Sequence, residues 1–215
     1  EGVKLNQITA RARDLELALS AKSLRIEAPI PGKGVVGIEI PNKIPARVTM
    51  REVLTSAEFR AQKSKLALAL GRDVAGAPFI VDLEKMPHLL IAGATGSGKS
   101  VSINALLLNL LYRNSPAELR LLMVDPKRVE LVNYNGLPHL LTSVITDPQK
   151  TINALKWTVA EMERRYQLFS SLSRRNIAAY NEKPGAEGSL PYIVVVIDEL
   201  ADLMAVASAD VEASI

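Results

Sequence analysis

The chain has 215 residues, 48% apolar and 23% charged, enough to bury a core and outside the composition of disordered, collagenous or low-complexity chains. It has no cysteine and two histidines, which excludes disulfides and thiolate catalysis, argues against a histidine-built metal centre, and fits a reducing, cytosolic setting. Its 26 basic and 23 acidic side chains leave a net charge of +3, with no basic stripe dense enough to announce nucleic-acid binding by itself.

The first residue is Glu1 rather than Met, which reads as a piece of a longer protein. The longest apolar run, 192–197, is far short of the ~20 residues that cross a bilayer, and no secretory leader opens the chain. Ile8, Ala12, Leu15 and Leu19 recur at helical spacing and predict a first helix. Two short apolar runs follow, 23–28 and 35–40, separated by Pro29-Ile30-Pro31-Gly32-Lys33-Gly34. That segment can extend neither a strand nor a helix, so the runs predict a hairpin. The proline-flanked stretch 41–45 is the expected boundary between a smaller part at 1–45 and a larger one at 46–215. These carry 7 basic and 5 acidic, then 19 basic and 18 acidic side chains, so neither is strongly basic. Thr49 with Glu52 three residues on is a capping box opening a short helix. A second hairpin pairs 66–70 with 78–81.

From His88 onward the pattern alternates strand, glycine loop, helix, strand, helix, strand, as in a parallel sheet covered by helices. The predicted strands are 89–92, 119–124 and 192–197. The last is apolar at every position and is expected to lie centrally, buried on both faces. The helix after the glycine loop carries Val101, Ala105, Leu108 and Tyr112 as its apolar face. A longer helix has Asp147 as N-cap, Pro148 in its first turn and a stripe of Ile152, Leu155, Val159, Met162, Tyr166 and Phe169.

The glycine loop reads Gly93-Ala94-Thr95-Gly96-Ser97-Gly98-Lys99-Ser100 and matches G-x-x-x-x-G-K-[ST], a pattern with a chance frequency of roughly 1% over this length. Glycines let successive backbone N–H groups turn inward, so positions 93–101, through Val101, are expected to cradle the phosphates of ATP at a helix N-terminus. Lys99 is expected to reach the β- and γ-phosphates and the Ser100 hydroxyl to ligate Mg²⁺.

The run Tyr192-Ile193-Val194-Val195-Val196-Ile197-Asp198-Glu199 ends in two adjacent carboxylates. With the phosphate loop they supply what it lacks: Asp198 to hold the Mg²⁺ shell and Glu199 as the base that orients the attacking water. A catalytic Glu directly after the Mg²⁺ Asp is similar to the RecA-like ATPases, which insert a further strand between the phosphate-loop strand and the Asp strand. Only 16 residues follow Glu199, and 200–207 reads as helix. Either the chain stops within its sheet, or those two strands are neighbours.

The second strand runs into Asp125-Pro126-Lys127-Arg128-Val129-Glu130-Leu131 at the sheet edge where ligands gather. Its mixed charges predict a solvated loop. Arg164-Arg165 and Arg174-Arg175 are expected on a solvated face or at subunit contacts, and His88 and His139 as packing residues.

Taken together the sequence resembles the FtsK/SpoIIIE DNA translocases. The resemblance is carried by residues 86–100, 125–131 and Leu137-Pro138-His139-Leu140-Leu141, by Glu161-Met162-Glu163-Arg164-Arg165-Tyr166, Arg175-Asn176-Ile177 and Tyr180-Asn181, by Asp198-Glu199-Leu200-Ala201-Asp202, and by the hairpin at 26–33. It implies an α/β fold: a RecA-like P-loop ATPase core whose parallel sheet is flanked by helices and incomplete here, preceded by part of a smaller α/β domain. It implies ATP and Mg²⁺ as cofactors and a homo-hexameric ring around double-stranded DNA, active in chromosome segregation at cell division or sporulation. It also implies a cytoplasmic motor tethered to the bacterial membrane by segments absent from this chain, with further strands, interface residues and a DNA-reading domain past Ile215. In that family the loop after the Asp-Glu helix faces the channel, which puts Ser208, Ala209 and Asp210 near DNA without a basic residue among them. Two alternatives remain: a related ring ATPase that moves protein or couples DNA to a secretion channel, and a nucleotide-gated scaffold without useful turnover.

Overall fold

The computed structural model describes residues 4–185 and 187–212, and of 207–210 and 212 the backbone alone. The chain divides into two compact units, one ending at Val48 and the other beginning at Thr49.

In the first unit the expected helix is two short ones, α1 (Leu5–Thr9) and α2 (Ala12–Ala18), broken at Ala10 and Arg11. Neither has a side-chain cap or a buried residue, so no packing holds them as one rod. The hairpin forms from β1 (Arg25–Glu27) and β2 (Gly37–Glu39), antiparallel, with Ile26 opposite Ile38. The strands are half the expected length, because Pro29 and Pro41 have no N–H to extend the ladder.

In the second unit the N-cap half of the expected capping box forms. Thr49 Oγ1 accepts from the Glu52 N–H at 3.3 Å and opens α3 (Met50–Leu54), and Ser56 caps α4 (Ala57–Arg60) in the same way. Next comes the antiparallel pair β3 (Ala67–Arg72) and β4 (Pro78–Asp82), with a bulge between Ala69 and Gly71. Asp73 closes its turn by accepting from the N–H groups of Ala75 and Ala77. Val53, Phe59, Ala67 and Ala69 form a small core between α3, α4 and this hairpin.

The parallel sheet consists of β5 (Leu119–Val124) and β6 (Tyr192–Ile197), in register from Leu119 opposite Tyr192 to Val124 opposite Ile197. On the other edge of β5 the chain at 139–145 runs parallel as a broken strand, bridged at Leu140 and Ile145. Alternate β5 side chains enter two cores. Leu119, Leu121 and Met123 pack with Leu66, Leu68 and α5 (Lys99–Arg113), whereas Leu122 and Val124 pack with Leu155 of α6 (Pro148–Ser171) and with Leu203 and Val211 of α8 (Leu200–Glu212). Period-two alternation across a sheet covered by helices on both faces produces this split. The crossover from β5 to β6 passes through α6 and α7 (Ile177–Glu182).

Several expectations need correction. Residues 89–92 make no backbone ladder with any described residue, although Ile91 packs against the core beside β5. Leu89 and Leu90 remain exposed, since a strand exists only with a partner backbone. Nor are 89–92 and β6 neighbours in a sheet. The centre of the sheet is β5, buried at five of its six positions, and β6 is half-buried throughout. The buried face of α5 is Ile103, Leu107 and Leu110, while Val101, Leu108 and Tyr112 are exposed. In α6 the stripe is buried at Ile152, Leu155 and Phe169, but Met162 and Tyr166 are exposed. At about 1.5 Å per residue this 24-residue helix far outreaches the six-residue strands, so its second half overhangs the sheet.

That second half is held by Phe169, which packs with Tyr180 and Leu190 in a separate small core, and by charge. Glu161 accepts from Arg164 Nε at 2.8 Å and from Arg165 Nε at 2.6 Å, and Arg165 also donates to the Pro191 carbonyl at 2.7 Å. Arg165 is thus a half-buried clamp rather than part of a solvated face. His139 accepts a packing role beside the Asn114 carbonyl, 2.9 Å from Nε2, but His88 is exposed. The backbone of α8 stays helical through Glu212, so positions 208–210 lie in a helix and not in a loop, with side chains outside the described residues. Among the described residues no helix is long and apolar enough to cross a membrane.

Candidate active site

The glycine loop turns through Gly96 and Gly98, both with positive φ (+80° and +98°), a conformation that costs any residue with a Cβ. Gly98 is the left-handed N-cap of α5. The helix therefore begins at Lys99, and its first-turn N–H groups, those of Lys99, Ser100 and Val101 among them, lie where the positive end of the helix dipole reinforces them. Gly93, Ala94, Thr95 and Ser97 complete an exposed turn, closed by a hydrogen bond from the Ser97 N–H to the Ala94 carbonyl at 3.0 Å.

The two ends of the motif converge. Lys99 Nζ donates to Glu199 Oε2 at 3.0 Å and to the Asp198 carbonyl at 3.1 Å. Asp198 follows the last residue of β6, its N–H bonded to the Val124 carbonyl. Its carboxyl is buried, with Oδ1 lacking a hydrogen-bond partner. Burial pushes that carboxyl up from the ordinary carboxylate range; Lys99 opposes the shift, and Asp125, Glu130 and Glu199 add to it. Glu199 moves the other way, held down chiefly by the Lys99 hydrogen bond, with Lys127 helping. Two adjacent carboxylates thus have opposite environments.

The run after β5 is only in part the solvated loop its charges predict: Lys127, Arg128 and Val129 are exposed, but its two ends are buried. Asp125 is fully buried, and its Oδ2 accepts from the N–H groups of Glu130 and Leu131 at 3.0 and 2.9 Å, folding 125–131 into a tight turn with Arg128 at positive φ. The turn delivers two side chains to the site. Glu130 Oε1 accepts from Ser100 Oγ at 2.8 Å, and Lys127 reaches Glu199. Sequence reasoning missed both; the available signal was that this segment leaves the sheet at the edge where the phosphate loop begins.

A magnesium nucleotide fits these residues. Asp198 Oδ1 is buried without a hydrogen-bond partner, and the Ser100 hydroxyl already donates to a carboxylate, that of Glu130. The described residues hold no cluster of three metal-ligating carboxylates, histidines or cysteines, and none is needed where phosphate and water complete the Mg²⁺ shell.

A glycine loop opening a helix beside a parallel sheet, with a buried Asp and a Glu directly after β6, is the arrangement of a P-loop ATPase core of the RecA-like type. The FtsK/SpoIIIE family model matches residues 49–215 and the FtsK alpha domain residues 1–42; the chain belongs to the FtsK/SpoIIIE family. The DNA translocase FtsK of Halalkalibacterium halodurans is 56% identical, and the DNA translocase SftA of Bacillus subtilis 54% identical, each over 100% of this chain. The chain spans 28% and 23% of those two proteins. A solved structure of the pCW3 conjugation coupling protein TcpA with ATPγS is similar at a TM-score of 0.60 and 28% identity, covering 99% of this chain and 56% of that one.

Proposed function

We propose that this chain is the ATP-hydrolysing part of a double-stranded DNA translocase that acts in chromosome segregation at cell division or sporulation. The observation that carries the reading is the convergence of Lys99 on Glu199 and the Asp198 carbonyl, with Ser100 next along the helix. Groups suited to holding a triphosphate and activating water share one end of one sheet.

In this reading the N–H groups of 93–101 bind the phosphates and Lys99 turns from Glu199 toward them. Ser100 and Asp198 would hold Mg²⁺, which would supply charge neutralisation at the phosphates. Glu199, kept ionised by its cationic neighbours, accepts the proton of the water that attacks the γ-phosphorus as ADP leaves. A homo-hexameric ring around duplex DNA, with its motor in the cytoplasm and a membrane anchor elsewhere in the protein, belongs to the same proposal and rests on family membership.

The likeness to a conjugation coupling protein favours a second reading, in which the ATPase feeds DNA or protein to a secretion channel. ATPase assays on the full-length protein separate the DNA motor from the protein-feeding form of that second reading. Duplex DNA is expected to raise turnover several-fold; no response to duplex, with stimulation by a polypeptide instead, would overturn the DNA motor.

A further inference from the structure

The turn after β5 brings a second cation to the proposed base. Lys127 Nζ lies 3.6 Å from Glu199 Oε2, the same oxygen that accepts from Lys99 at 3.0 Å, and 3.5 Å from Asp202 Oδ2. One carboxylate oxygen is therefore shared by two ammonium groups, and their tethers differ. Lys99 is the first residue of the phosphate-loop helix, where a triphosphate carries more negative charge than Glu199 and competes for it. Lys127 stands on a turn pinned by the buried Asp125 carboxylate, and Asp202 holds its ammonium from α8. Nothing in the phosphate loop draws it away.

We propose that Lys127 is a positioning residue: when Lys99 leaves for the nucleotide, Lys127 keeps the Glu199 carboxylate in place. This rests on the reading of Glu199 as the base for ATP hydrolysis. The two distances give the handover its chemical sense. At 3.0 Å Lys99 takes a lone pair of Glu199 in a hydrogen bond, whereas at 3.6 Å Lys127 makes an ion pair beyond hydrogen-bond range. Passing from the first partner to the second leaves Glu199 oriented but with that lone pair open to a water proton. The same turn carries Glu130 to Ser100, so one short segment touches both halves of the site.

The test uses the full-length protein with duplex DNA and ATP. Because Lys127 is half exposed, Lys127→Met is expected to keep the fold and the Michaelis constant for ATP while lowering kcat by about tenfold, within the range that loss of orientation costs. Lys127→Arg, which restores a cation on a stem of similar reach, is expected to recover most of that loss. An unchanged kcat in Lys127→Met, a raised KM with kcat intact, or an Arg variant as slow as the Met variant would each overturn the proposal. The underlying reading fails by a different result, wild-type turnover in Glu199→Gln.

Discussion

Asn109 ties the phosphate-loop helix to the hairpin packed against it. Its side chain is fully buried; Oδ1 accepts from the Ala69 N–H at 3.0 Å, and Nδ2 donates to the Ala105 carbonyl at 2.7 Å. The amide thus satisfies a backbone donor on β3, which within its sheet pairs only with β4. Asn109→Leu keeps the branched outline of the side chain but strands that N–H, and is expected to lower unfolding stability by about 1–3 kcal/mol in urea titrations. An unchanged midpoint would mean that the Ala69 N–H has another partner. At this scale the site divides sharply in legibility. Lys99, Ser100, Asp198 and Glu199 are readable because their spacing encodes a turn and a strand end. Lys127 and Glu130 act across gaps of 72 and 30 residues, and no local pattern says which charged residues of a loop fold back.

Among the elements, α6 has the clearest start and the least expected end. Asp147 accepts from the Lys150 N–H at 2.9 Å and Pro148 sits in the first turn, as cap chemistry dictates. Its second half is pinned, besides the packing of Phe169, by Glu161, whose carboxyl is held down to about 2 by hydrogen bonds from Arg164 and then Arg165. A carboxyl depressed in the folded state stabilises fully above its unfolded pKa, near 4.5, and loses that contribution as the pH falls toward 2. Glu161→Gln is therefore expected to cost about 1–2 kcal/mol at pH 7 and almost nothing at pH 2, read from urea melts across that range. A pH-independent difference would contradict the clamp. Caps and turn residues were legible because each is a local contest for one or two N–H groups. The phase of α5 was not: apolar side chains surround it at Val101, Ile103, Leu106, Leu107, Leu108, Leu110 and Leu111, and only contact with β3 and β5 selects the buried face. The segment 89–92 reads as a strand by composition, yet whether it pairs is decided by another stretch of backbone.

For the whole molecule, the alternation of strand and helix announces a layered α/β core, and β5 realises it with one core on each face. The central claim is that the glycine loop and the paired acids serve one triphosphate. Its most direct test is single-turnover hydrolysis by full-length Glu199→Gln, with ATP binding measured on the same sample and Lys99→Ala as the control that loses nucleotide. The account predicts that Glu199→Gln binds ATP as the wild type does and cleaves it at least ~100-fold more slowly, the scale of a lost general base. Cleavage at the wild-type rate would contradict it.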